Sequence, residues 1–151
     1  FLLRDDVETI HAATEVLAEA KLSPELKNEA LYYRAKAYKN QKADKKALDD
    51  FRELAKDTRN SYGAEAKYQV AQALYDAQEY AAAEKELLNY IEQSTPHAYW
   101  LARSFVLLSD VYVAMGKDLD ARQYLLSLQQ NYQGNDDIES MIEDRLKKLN
   151  K

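Results

Sequence analysis

Two histidines, His11 and His97, are the chain's imidazoles, and it has no cysteine. A catalytic or metal centre needs a convergent set of groups, and no His/Asp/Glu cluster at metal-ligand spacing accompanies either one. His97 follows Thr95-Pro96 at an expected helix start, where an imidazole serves as a solvated surface group. Asp136, Asp137 and Glu139 form an acidic cluster, but at an expected helix N-terminus, where carboxylates offset the helix dipole. The stretch lacks the alternating oxygen ligands and turn glycine of a calcium loop. There is also no glycine-rich phosphate loop and no nucleophile elbow. These absences point away from an enzyme and from a resident cofactor or metal.

The twelve tyrosines say more. Tyr38, Tyr80, Tyr90 and Tyr112 fall on alternating small and large faces, as core residues do. Tyr32 and Tyr68 lie 36 residues apart, and Tyr75 follows Tyr68 by seven on one helical face. Arg34, Lys36, Lys39, Lys42, Lys45 and Lys46 form a basic stretch, but they cross a helix, a turn and the next helix. They read as solvated charge and not as a phosphate site.

The elements behind these residues are helical. Hydrophobic residues make up 46% of 151, charged residues 31%, and the three Gly and two Pro fall at breaks between periodic segments. That composition favours an all-α class with one core. The net charge of −5 argues against nucleic acid, whose partners cluster Lys and Arg. No apolar run approaches the roughly 20 residues that span a bilayer, so no direct membrane insertion is expected of this segment.

In chain order, the apolar run Phe1-Leu2-Leu3 precedes a helix with Asp5 and Glu8 as its capping pair and Ile10, Ala13, Leu17 and Ala20 on one face. Ser23-Pro24-Glu25 starts a helix to about Asn40, and Asp44 is expected to cap the next, which carries Ala47, Phe51 and Leu54. Thr58 to Gly63 reads as a link. Residues 64–93 form a helix pair with a break near Gln78-Glu79, and Ser94-Thr95-Pro96 starts another helix that Gly116 stops. Asp118 is expected to cap a helix carrying Ala121, Leu125 and Leu128, which Gly134-Asn135 closes. In the last helix, 136–149, Ile138, Met141, Ile142, Leu146 and Leu149 make one apolar stripe. The first helix lacks a partner before it and the chain opens on Phe1, so it is expected to begin inside a repeat of a longer array.

Ala47, Ala83 and Ala121 lie 36 and 38 apart, each preceded a dozen residues earlier by Ala35, Ala71 or Ser109. Phe51, Leu87 and Leu125 follow each alanine by four. This resembles the tetratricopeptide repeat, whose period is about 34. Lys67 and Arg34 depart from it, standing where the family often has an aromatic and Leu. The resemblance implies a right-handed α-solenoid of antiparallel helix pairs in a single domain over 1–151. Its parts would be a half repeat at 1–22, repeats at 26–58, 64–93 and 97–130, and a capping helix at 136–149. The spacing S-x-x-A-E-A-x-Y at Ser61–Tyr68 is similar to bacterial cell-envelope members of outer-membrane assembly or the Tol-Pal system. That similarity implies a periplasmic or outer-membrane-associated setting.

In that family the first helices line a concave groove. The resemblance therefore implies a non-enzymatic scaffold that binds a protein or peptide at Tyr32, Lys36, Lys39, Tyr68, Gln72, Tyr75, Arg103 and Asp110. Glu29, Asn40, Glu65, Asp76, Val106 and Val113 share that face. The carboxylate clamp of chaperone-binding members does not carry over, since Tyr32, Lys36 and Gln69 stand at its positions and Arg103 alone fits. The alternative is an architectural spacer, or an accessory module of a larger protein, with no ligand of its own.

Overall fold

The computed structural model describes residues 5–93 and 95–150, so the Phe1-Leu2-Leu3 run and the Ser94 cap lie outside the described residues. Among the described residues there are eight helices and no strand. They are α1 (Asp6–Leu17), α2 (Pro24–Asn40), α3 (Asp44–Leu54), α4 (Ser61–Asp76), α5 (Tyr80–Glu92), α6 (Ala98–Ala114), α7 (Asp118–Asn131) and α8 (Ile138–Leu149). The chain divides into two compact units, Phe1–Val70 and Ala71–Lys151, and the division falls within α4.

One turn recurs three times. Lys42, Gln78 and Gly116 adopt left-handed backbone, with φ of 60°, 61° and 75°. After each, the next residue donates its N–H back over the helix end: Ala43 to Tyr38 O at 2.8 Å, Glu79 to Leu74 O at 2.9 Å, Lys117 to Tyr112 O at 2.7 Å. The left-handed residues themselves donate to Lys39, Tyr75 and Val113 O at 2.9–3.0 Å. This pair of bonds satisfies the last carbonyls of α2, α4 and α6 and stops each helix. Ala43, Glu79 and Lys117 then serve as N-caps of α3, α5 and α7, with no side-chain cap bond. The expected caps Asp44 and Asp118 are instead the first helical residues. One residue does double duty in so tight a turn, and the carboxylates move into the first turn, near the positive end of the helix.

In the first unit α1 packs on α2 and α2 on α3. Asp5 caps α1, accepting from Glu8 N at 2.9 Å, and Ser23 caps α2, accepting from Leu26 N at 3.2 Å. Ala13, Ala30, Ala35, Ala47, Phe51 and Leu54 are buried between these helices, with the alanines where side chains must be small. Ala20 departs from expectation: α1 ends at Leu17, and Ala20 is exposed beyond it. Arg34 donates to both Asp50 carboxylate oxygens, at 2.7 and 2.8 Å, and to Thr14 Oγ1 at 3.2 Å. The guanidinium thus joins α2 to α3 and α1, and its pairing with Asp50 offsets the cost of holding a charge in this largely buried place.

The link expected up to Gly63 is shorter. Helix α4 begins at Ser61, because Asn60 Oδ1 accepts from Gly63 N at 2.8 Å and closes the first turn. Gly63 fits a close approach: a Cβ there would overlap the Asp57 carbonyl and lie 2.8 Å from Leu54 O.

In the second unit α5 packs on α6, α6 on α7, and α8 on both α6 and α7. Ile138 and Ile142 of α8 bury against Ala102 and Val106 of α6 and Leu125 and Leu128 of α7, with Met141, Leu146 and Leu149 packed around them. The stripe read as a cap thus covers one face of that helix pair. Two boundaries moved. Helix α6 starts at Ala98 with His97 as N-cap and Pro96 outside it, and Thr95 Oγ1 accepts from His97 N at 3.3 Å. Helix α7 ends at Asn131, since Tyr132 is extended, so Gly134 lies in the link that follows.

Candidate functional site

In the first unit α2 and the start of α4 bring Tyr32, Lys36 and Lys39 to one face. Their spacing of four and three puts them on one side of α2. Glu65 of α4 is buried at 7% exposure and holds two of them: Tyr32 Oη donates to Oε1 at 2.8 Å and Lys36 Nζ to Oε2 at 3.0 Å. Lys39 Nζ donates to Gln69 Oε1 at 2.7 Å, one turn further along α4. Lys36 Nζ also sits 5.6 Å from the Tyr32 ring centroid. Tyr32 is flanked by Tyr62, with ring centroids 4.6 Å apart, and edge-on by Tyr33 at 5.3 Å. Burial first, then the bond to Glu65, raises the Tyr32 phenol well above its ordinary range. It therefore donates to Glu65 as the neutral phenol.

Tyr68 behaves differently from its counterpart Tyr32. It is 7% exposed and offers a ligand almost no surface. The run Gly63–Tyr68 is buried throughout, because Ala64, Ala66, Val70 and Ala71 make this part of α4 apolar or small on most sides.

The other four expected residues, Gln72, Tyr75, Arg103 and Asp110, belong to the second unit. Gln72 donates to Asp76 Oδ1 at 2.9 Å along α4. Tyr75 is half-buried, its ring 5.6 Å from that of Tyr80, and its phenol is raised by burial and then by the Asp110 charge. Asp110 accepts a bidentate pair from Arg145 of α8, Nε to Oδ1 at 2.8 Å and Nη2 to Oδ2 at 3.0 Å. Arg103 lies over Tyr99 and Trp100, 6.0 and 5.9 Å from their centroids, and donates to Tyr99 Oη at 3.0 Å. The core tyrosines divide as well: Tyr90 and Tyr112 are buried, whereas Tyr38 and Tyr80 are half-buried.

Sequence reasoning missed Tyr62 and Arg145 as partners of this set. Tyr62 lies in what read as a link, and Arg145 on the polar side of the capping helix. The one usable signal for Arg145 was its charge, opposite to that of Asp110. His11 makes an exposed contact with Glu15 at 3.1 Å. Among the described residues no group of three His, Asp or Glu converges as a metal site requires, and no helix is long and apolar enough to cross a membrane. A cleft of about 340 Å³ lies at the link between α7 and α8, lined in part by Gln129, Tyr132, Ile138 and Glu139.

In comparison with known proteins, no family model, curated protein or solved structure matches the chain. The functional reading therefore rests on the geometry.

Proposed function

We propose that this chain is a non-enzymatic scaffold of tetratricopeptide type, its helix pairs stacked as a right-handed α-solenoid, that binds a protein or peptide segment. The binding face is assigned to α2 and the N-terminal half of α4, around Tyr32, Lys36 and Lys39. The observation that carries this is the Tyr32–Glu65–Lys36 arrangement, in which a buried carboxylate fixes a tyrosine and an ammonium group on one half-exposed face. Tyrosine offers contact area at low entropic cost, and side chains already held in place lose less on binding. The thrice-repeated turn at Lys42, Gln78 and Gly116 supports the repeat reading. The spacing at Ser61–Tyr68, similar to that of cell-envelope members, supports a cell-envelope setting as part of this proposal.

Selection of a displayed random-peptide library on the chain tests the proposal. The strongest peptide is expected to bind at least about tenfold more weakly to a Tyr32→Ala/Lys36→Ala/Lys39→Ala variant of unchanged helicity. Equal affinity, or no enriched peptide, counts against it. The spacer reading gains from one feature: Tyr32, Lys36 and Lys39 already have partners within the chain, in Glu65 and Gln69.

A further inference from the structure

The carboxylates of the first unit that are at least partly buried are matched: Asp6 by Asn40, Asp50 by Arg34, Glu53 by Lys27 and Lys56, Asp57 by Arg59, Glu65 by Lys36 and Tyr32. Glu29 is an exception. It is half-buried on α2, one turn before Tyr33, and among the described residues it forms no hydrogen bond and no ion pair. Its charge nevertheless reaches Tyr62, whose phenol is raised by burial, then by Tyr33 and by Glu29. Tyr32, Tyr33 and Tyr62 are all half-buried and packed ring against ring. Tyrosine faces attract cations, and Lys36 over Tyr32 is a resident example.

We infer that the tyrosine trio Tyr32, Tyr33 and Tyr62, with the Glu29 carboxylate beside it, receives a basic side chain, so that the bound segment is a peptide presenting Arg or Lys. The inference builds on the binding face proposed above and adds the chemistry of its partner. A cation there gains the ring quadrupoles and an unmatched carboxylate together. An acidic side chain meets repulsion from Glu29 and finds Lys36 already engaged by Glu65.

The test uses probes that need no known ligand: N-acetyl-arginine amide and its neutral isostere N-acetyl-citrulline amide, followed through tyrosine ring resonances by NMR. The arginine probe is expected to shift the rings of Tyr32, Tyr33 and Tyr62 at millimolar concentration, with the citrulline probe about tenfold weaker. Glu29→Gln is expected to weaken the arginine probe about threefold or more, with helicity unchanged. Equal shifts from both probes, no shifts at these rings, or indifference to Glu29→Gln would overturn the inference. Library peptides that bind the Lys36 and Lys39 face without a basic residue would also overturn it, and would leave the binding face itself standing.

Discussion

The left-handed turns permit a sharp test of the repeat geometry. Lys42 and Gln78 are exposed, neither side chain makes a hydrogen bond or ion pair among the described residues, and both sit at φ near 60°. An L-residue in that conformation costs about 1–2 kcal/mol, whereas glycine adopts it freely. Glycine also loses about 0.5–1 kcal/mol through the greater freedom of the unfolded chain. Lys42→Gly and Gln78→Gly are therefore each expected to stabilise by about 0.5–1 kcal/mol. Gly116→Ala should do the reverse by about 1 kcal/mol, and no packing term enters, since an added Cβ meets nothing within 4 Å. Urea unfolding followed by far-ultraviolet circular dichroism measures all three. At this chain length 1 kcal/mol corresponds to roughly 2–4 °C in Tm. If Lys42→Gly and Gln78→Gly instead destabilise by about 1 kcal/mol, as glycine does inside a helix, the shared turn is refuted.

Three further outcomes follow from the packing. Gly63→Ala should destabilise the first unit by about 3 kcal/mol or more, because its Cβ meets backbone carbonyls of Asp57 and Leu54 that cannot rotate away; a melt unchanged from the parent would sink that account. Asp50→Ala strips the partner from the largely buried Arg34 and should cost about 3–5 kcal/mol, while Arg34→Met/Asp50→Leu should recover most of it; a double variant no better than the single would contradict the pairing. Tyr32, Tyr62, Tyr75, Tyr90, Tyr99, Tyr112 and Tyr132 all hold raised phenols, Tyr132 at about 12, chiefly through burial. Because the fold binds these protons more tightly, their contribution is complete below the unfolded pKa near 10 and is lost as pH rises through the folded values. Tyrosinate absorbance should therefore rise together with loss of helicity, and a smooth titration near pH 10 with helicity retained would contradict it.

Local chemistry made much of the architecture legible. Ser23-Pro24 marked the start of α2, Ala47 and Ala121 marked the buried sides of α3 and α7, which pack on α2 and α6, and the stripe from Ile138 to Leu149 identified a helix with one dry side. Residues whose meaning depends on distant partners were not legible. Gly63 reads as a link glycine until Asp57 and Leu54 are seen pressed against it. Arg34 reads as a misfit until Asp50, 16 residues on, supplies its counter-ion. Tyr32 and Tyr68 share a register position, and only their surroundings make one a half-exposed donor and the other buried. On the candidate face, α2 placed Tyr32, Lys36 and Lys39 by spacing alone, while their acceptors Glu65 and Gln69 required the fold.

The most direct test of the binding face is chemical-shift mapping of the strongest library-selected peptide on the labelled chain. The account predicts that perturbed resonances cluster on Tyr32, Lys36, Lys39 and Gln69 and on the rings of Tyr33 and Tyr62. Perturbations confined to the cleft around Tyr132 and Ile138, with the α2 face silent, would contradict it.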